Sequence, residues 1–364
     1  MRTHPLIAVA TAAVLAGSAM AAVPSAQAAP RQRTLASGLV SPLSVAAAPN
    51  GTTYVTQNFA GTLERIRPGR APRTVYRSRG GNEVGAVSVR GDRVVFAETA
   101  GGMMPTHSWL KRLTRNGKAR TIANIRAFEN RRNPDRRITY GARGISPSCA
   151  AQWPTEEAGP PVYRGLKDSH PYATDQVAGR TYVADAGMNA ILSVTNGGRI
   201  RVVAVTPASP VLITAELAGQ MGLPACAVGL TYFGESVPTD VERGRDGMLY
   251  VTTEGGGLGE MMPLGSLYRI NPANGRVRKI VGGLFAPTGL AITGRGDVLV
   301  AQLFGNEISR IKKGTKRVRR YASVTMPGAL DWTRRGLYAT TDVLAGLEPP
   351  SAPGGKVVLF RARR

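Results

Sequence analysis

Histidine, lysine and cysteine are scarce in this 364-residue chain, and each scarcity removes a class of function. Histidine occurs only as His4, His107 and His170 and cysteine only as Cys149 and Cys226, so no Cys/His metal-ligand spacing can be written. There is no G-x-S-x-G nucleophile elbow, no phosphate-cradling glycine loop and no dinucleotide fingerprint. After the N-terminal segment no apolar run reaches the length of a membrane span. Acidic residues number 23 against 47 basic ones, giving +24 at pH 7, and with only eight lysines arginine carries most of that charge. Such a field attracts anionic partners, a cell-wall or extracellular polymer among them, rather than reading a specific nucleic acid. The competing explanation is arginine scattered over strand faces and turns, since the only basic run is Lys312 to Arg320.

The N-terminus reads as a targeting segment. Arg2 precedes an apolar stretch from Leu6 to Met20, and Ala26-Gln27-Ala28 fits the small-x-small cleavage rule, so a signal peptide over 1–28 is expected. Removing it takes away one basic charge and leaves about +23 on a protein expected to be secreted and extracellular.

What the chain does have is an internal repeat. A Gly or Pro leads into a short apolar strand, a glycine turn follows, and a second strand contains Tyr-Val or a close variant. The pattern runs from Ser41 to Asn58 and returns at Asn82–Thr99, His170–Gly187, Val237–Glu254, Ala286–Leu303 and Met326–Val343. A third strand follows each pair. A fourth follows in five units, and Arg33-Thr34-Leu35-Ala36 at the mature N-terminus supplies the one missing from the sixth. The expected fold is all-β: a six-bladed β-propeller of four-stranded antiparallel blades over 29–364, closed by the N-terminal strand.

In that architecture the turns between second and third strands share one face with the links between units, and loops on a rigid scaffold carry function. The segment 126–169, rich in Arg, Pro, Gly and Asn, reads as an inserted loop or lid on this face. Cys149 lies in it and Cys226 in the next link, and export permits oxidation, so a Cys149–Cys226 disulfide is expected. Two loops there carry Met-Met-Pro, which brings Met104 and Met262 to the same face as polarizable, adaptable apolar groups. The ends of the second strands bring Asn58, Glu98, Asp185, Glu254 and Asp342, and the inner strands bring Tyr172 and Asp240. Asp240 stands out because the other residues two places after the leading prolines, Ser44, Ala173, Gly289 and Ala329, are small. Converging carboxylates hold cations or act as acid and base, but an Asp ending a strand also commonly caps the following turn.

The segments HPYATDQVAGRTYVADAGMNAILSV, VPTDVERGRDGMLYV and APTGLAITGRGDVLVAQ resemble the ScyD/ScyE family, exported relatives of NHL-repeat propellers. Phe128-Glu129-Asn130 and Asn133-Pro134-Asp135 resemble that family's linker before its Pro-Tyr repeat, although this chain carries extra residues between Asp135 and His170. The resemblance implies the propeller and its export, and no catalytic residue set. Compared with the SMP-30/gluconolactonase type of lactonase, which needs a Glu, an Asn and an Asp around one metal, only Asp240 stands in a comparable slot.

Two functions are therefore weighed. The leading one is a binding module with no cofactor, presenting the ligand-binding set Asn58, Glu98, Met104, Tyr172, Asp185, Asp240, Glu254 and Met262 to an apolar small molecule or a partner protein. The alternative is a metal-assisted hydrolase, lactonase or lyase, in which a divalent cation is held at central carboxylates.

Overall fold

The computed structural model describes residues 32–102, 105–114, 116–348 and 350–361; the signal-peptide expectation and Met103 and Met104 fall outside them. The described residues form seven four-stranded antiparallel sheets, and the fold is a β-propeller. The first sheet pairs Val45–Ala47, Thr53–Gln57, Thr62–Ile66 and Arg73–Arg77 in chain order, and four further sheets, beginning at Glu83–Arg90, Pro171–Val177, Pro238–Arg243 and Pro287–Ile292, repeat this meander. In the sheet beginning at Leu330–Thr333 the outermost strand comes from the other end of the chain: Gln32–Leu39 runs antiparallel to Gly355–Arg361, with Arg33 opposite Leu359 and Thr34 opposite Val358.

The first strands of these six sheets are tied into a closed cycle. Val87 N–H donates to Ser44 Oγ at 2.8 Å, and Thr174 Oγ1 donates to Ala86 O at 2.5 Å. Arg243 N–H donates to Asp175 at 2.9 Å, and Leu290 N–H to Asp240 at 2.6 Å. Thr288 Oγ1 donates to Gly328 O at 2.8 Å, and Ala47 N–H donates to Asp331 at 2.6 Å, returning to the first sheet. These bonds answer a need of the fold. The inner edge of each first strand has no neighbouring strand, its N–H groups cannot be left unpaired, and side chains of the adjacent sheet satisfy them. Small residues are required where two inner strands meet: a Cβ on Gly289 would fall 2.6 Å from Gly328 O.

An apolar cluster fills each gap around the cycle. Val55 and Ile66 pack with Leu39 and Val357, for example, and Val183 and Leu192 with Val95 and Leu110. Alternation along the strands supplies these faces.

The seventh sheet was not legible as a repeat. The segment 126–169, expected as a loop or lid, carries the helix Ile125–Arg132 and the strands Thr139–Ala142 and Val162–Arg164. These pair with Thr231–Gly234 and Ser209–Leu212 from the next link, in the order Val162–Arg164, Thr139–Ala142, Thr231–Gly234, Ser209–Leu212. Each half is too short and too polar to announce a strand alone; pairing between the two links, which a disulfide across 77 residues also joins, makes the sheet. Its own apolar cluster contains Ala142, Trp153, Ile213 and Ala218 together with Cys149, which is bonded to Cys226 as expected.

Candidate functional site

All six first strands start from the face that carries the links, so a residue's place along its strand gives its depth from that face. Positions two and four after the leading proline share a side of the strand and look onto the axis. Asp240 takes the shallower level. Asp175, Glu242 and Asp331 take the deeper one, roughly 6–7 Å further in. Together with Ser44, Tyr172 and Thr288 they line an axial cavity of about 90 Å³.

Each axial carboxylate is half-buried and accepts a backbone N–H. Besides the bonds to Asp175, Asp240 and Asp331, Ile292 N–H donates to Glu242 at 3.1 Å. They nonetheless hold protons tightly. Burial pushes Asp240 up to about 7, against the pull of the Leu290 and Val241 N–H groups. Burial pushes Asp175 and Asp331 up to about 6. Glu242 is raised well above the ordinary range by burial and by Asp331, Asp240 and Asp175. Of these four the sequence reading picked out Asp240 alone. The signal for the others was the same register counted two residues further, from Pro171, Pro238 and Pro327.

Above the axial cavity, on the link face, stands a second group. His170 Nε2 lies 2.9 Å from Glu83 Oε2, and Asn58 Nδ2 donates to Glu83 Oε1 at 2.8 Å. Burial works against both charges, yet the shared hydrogen bond raises the histidine and lowers the glutamate, so the contact favours the imidazolium–carboxylate form. The His170 ring meets Tyr172 edge-on at 6.3 Å. Burial, and then Glu254, Glu83 and Asp240, keep the Tyr172 phenol protonated. Glu254, half-buried at the end of its strand, makes no side-chain hydrogen bond among the described residues, and burial followed by the charge of Glu260 pushes it up to about 7. The charges of Glu254, Glu83 and Asp240 thus act on Tyr172, Asn58 is bonded to Glu83, and the Glu83–His170 pair is the part that sequence reasoning missed.

The other expected residues have different surroundings. Glu98 is 3% exposed and takes Lys111 Nζ at 2.5 Å, Asn82 Nδ2 at 2.8 Å and the Tyr76 hydroxyl; burial would raise it, but these donors hold it below the ordinary range. Asp185 is fully buried and accepts Ser169 Oγ and the N–H groups of His170 and Met188, the turn-capping role weighed against function. Asp342 accepts the Thr341 hydroxyl and pairs with Lys356. Met188 is fully buried between the second and third sheets, and Met326 packs against Leu43, Ala286 and Val343, so these two methionines serve packing. Met262 is half-buried behind the short helix Gly257–Met261, while Met261 is exposed, as are Phe59 and Leu166 on the same face. Among the described residues no three His, Cys, Asp or Glu side chains are grouped closely enough to hold a metal ion by themselves.

At the opposite ends of the second and third sheets, Arg93, Arg112 and Arg120 line a separate cavity of about 160 Å³ with Asn196 and Gly197.

No protein-family model matches the chain, and no curated protein matches it. Solved structures similar to it include a putative oxidoreductase (glucose dehydrogenase) from Thermus thermophilus, 17% identical with a TM-score of 0.55 and covering 91% of this chain and 99% of that one. A gluconolactonase from Xanthomonas campestris is 9% identical with a TM-score of 0.55, over 91% and 89% of the two chains. The PQQ-bound aldose sugar dehydrogenase from Streptomyces coelicolor is 13% identical with a TM-score of 0.53, over 91% and 99%. At these identities the likeness is one of fold, the β-propeller, and the ScyD/ScyE resemblance stays one of motifs.

Proposed function

We propose that this chain is an exported propeller enzyme of hydrolase or lyase type, working by acid–base chemistry without a central metal on a small molecule held at the link-face mouth of the axial cavity. Glu254 carries the reading. A carboxyl pushed up to about 7, without a hydrogen-bond partner among the described residues, can take a proton from a bound molecule and return it. The imidazolium of His170, held by Glu83, is the complementary acid, and the protonated Tyr172 is a hydrogen-bond donor for a developing oxyanion. Lactone opening and elimination next to a carbonyl both need this pairing of a base with a donor.

A binding role for an apolar small molecule or partner protein is the second reading, favoured by the exposed Phe59, Met261 and Leu166 on the same face. An anionic cell-wall or extracellular polymer would then meet the arginine-lined cavity at the far end of the sheets. The test is turnover of a panel of lactones and aryl esters by the mature chain and by Glu254→Gln. The enzyme reading expects a rate that rises with pH through about 7 and falls at least ~100-fold in the variant. No turnover by the wild type, with an environment-sensitive apolar dye displaced equally from both proteins, selects the binding reading.

A further inference from the structure

Buried polar side chains in this protein have partners, with a few exceptions, and the exceptions are not spread evenly. Six buried side-chain nitrogen or oxygen atoms among the described residues lack a hydrogen bond. Four of the six belong to a single seven-residue stretch: both carboxylate oxygens of Glu129, Asn133 Oδ1 and Asp135 Oδ1. The axial carboxylates, by contrast, each receive an N–H.

The stretch is built to hold those oxygens in place. Glu129 lies on the helix Ile125–Arg132, whose Phe128 packs into the cluster between the second and third sheets, and Glu129 itself is 0% exposed. The helix ends at Asn133, whose N–H donates back to Glu129 O at 2.8 Å while its backbone takes the left-handed conformation with φ 36°. Asn133 Nδ2 donates to Gly165 O at 2.9 Å, which fixes the amide and sets its oxygen on the other side. Asp135 is 1% exposed; its Oδ2 accepts both Tyr140 Oη and Asn189 Nδ2 at 3.0 Å, and Oδ1 accepts nothing. A Cβ on residue 165 would fall 2.1 Å from Asp135 Oδ1, so glycine brings that turn against both Asn133 and Asp135. Burial, and then the charges of Asp185, Asp135 and Asp168, push Glu129 up to about 8, and Arg126 is the cation that opposes them.

A carboxylate wholly removed from water and given no donor is among the costliest arrangements in a folded protein. Such a group either keeps its proton, as the raised Glu129 does, or takes a cation in its place. We propose that Glu129, Asn133 and Asp135 form a buried site for a hard divalent cation of the Ca²⁺ class, which fastens the insertion to the propeller. The donors are two carboxylates and an amide carbonyl, the oxygen set that such a cation prefers, with no nitrogen or sulfur that would favour a softer metal. Because no three acidic side chains converge here, backbone carbonyl or water oxygens complete the shell. The site is distinct from the mouth that holds Glu254. It accounts for Phe128-Glu129-Asn130 and Asn133-Pro134-Asp135, which no part of the proposed reaction uses.

The experiment uses the mature chain, stripped with EDTA and dialysed. Thermal unfolding is followed with and without Ca²⁺ or Mg²⁺, and Tb³⁺ luminescence sensitised by nearby tyrosine is titrated in parallel. The expected result is Tb³⁺ emission displaced by Ca²⁺, and a melting temperature raised by roughly 4 °C at about a hundred times Kd. Both responses should vanish in Glu129→Gln and in Asp135→Asn, with Glu129→Gln in EDTA at least as stable as the stripped wild type. The proposal is overturned if the stripped wild type shows neither Tb³⁺ emission nor a Ca²⁺ shift, a result that needs no variant to fold. An undiminished response in Glu129→Gln also overturns it, because the cation then sits elsewhere.

Discussion

The axial carboxylates make a quantitative demand on stability. Asp240 is raised from 3.8 to about 7 in the folded protein, so between those values the native state binds a proton that the unfolded chain has released. Stability must then fall as pH rises through this window, with the contribution complete below about 4 and lost above about 7. The full shift corresponds to roughly 4 kcal/mol at ~1.36 kcal/mol per pH unit, and solvent reaching the half-buried group along the cavity reduces this to about 2. Asp175, Asp185, Asp331 and Glu254 are raised for the same first reason, burial, and slope the same way, as does His170, whose raised value means stability lost on deprotonation. Glu83 and Glu98 are lowered and act below about pH 4.5, outside the window. Asp240→Asn isolates one member, since asparagine cannot ionise and retains an oxygen for the Leu290 N–H, giving up only the bond from the adjacent Val241 N–H. At pH 5 the variant should already be ahead of the wild type by somewhat under ~1 kcal/mol, because part of the contribution is lost between about pH 4 and 5. At pH 8 it should be more stable by about 2 kcal/mol, or about 3 °C for a chain of this size. Melting curves at pH 5, 6, 7 and 8 decide the matter. Parallel curves for the two proteins, or wild-type stability rising from pH 5 to 8, would refute the argument that Asp240 is buried at a cost.

Deleting residues 32–37 should unpair the outer edge of Gly355–Arg361 and uncover Val357 and Phe360, lowering the melting temperature by at least ~5 °C; an unchanged transition in calorimetry would show that Gln32–Leu39 does not close the ring. Replacing Cys149 and Cys226 together by serine opens a loop of 77 residues, which chain entropy values at about 4 kcal/mol, so the seventh sheet should gain protease-sensitive sites under native conditions while the six ring sheets stay protected; limited proteolysis with mass mapping reads this.

The ring was legible because its signal is repeated. Tyr-Val on one strand and a glycine turn before it recur in unit after unit, and an orphan strand at one end of the chain matches a gap at the other, so local pattern and global closure agree. The seventh sheet has no such redundancy. Thr139–Ala142 and Ser209–Leu212 are four residues each, lie in different links and pair through Thr231–Gly234, so nothing periodic marks them. At the site, Asp240 was legible as the one large polar group in a slot of small ones, and Glu254 as a strand end. Glu83 was not, because its partner His170 lies 87 residues away and only the adjacency of the second and third sheets joins them.

The distribution of acids bears on what the mouth can attract. Glu83, Glu129, Asp135, Asp175, Asp185, Glu235, Asp240, Glu242, Glu254 and Asp331, ten of the 23 acidic residues, are buried or half-buried along the axis, at its mouth and under the insertion. Raised proton affinity leaves several of them partly neutral at pH 7, so the outer surface is even more arginine-dominated than the formal net charge implies. An anionic molecule is drawn towards this protein from a distance and then meets, at the link face, His170, whose proton affinity is raised, and Glu254, which burial pushes up to about 7. A cationic molecule meets the opposite sequence, repulsion outside and carboxylates within. For the proposed reaction, a neutral or anionic molecule with a polarised carbonyl satisfies both stages. That favours lactones and acidic sugar derivatives over amines in the substrate panel, and it predicts that added salt slows productive encounter with an anionic substrate and leaves a neutral one unaffected.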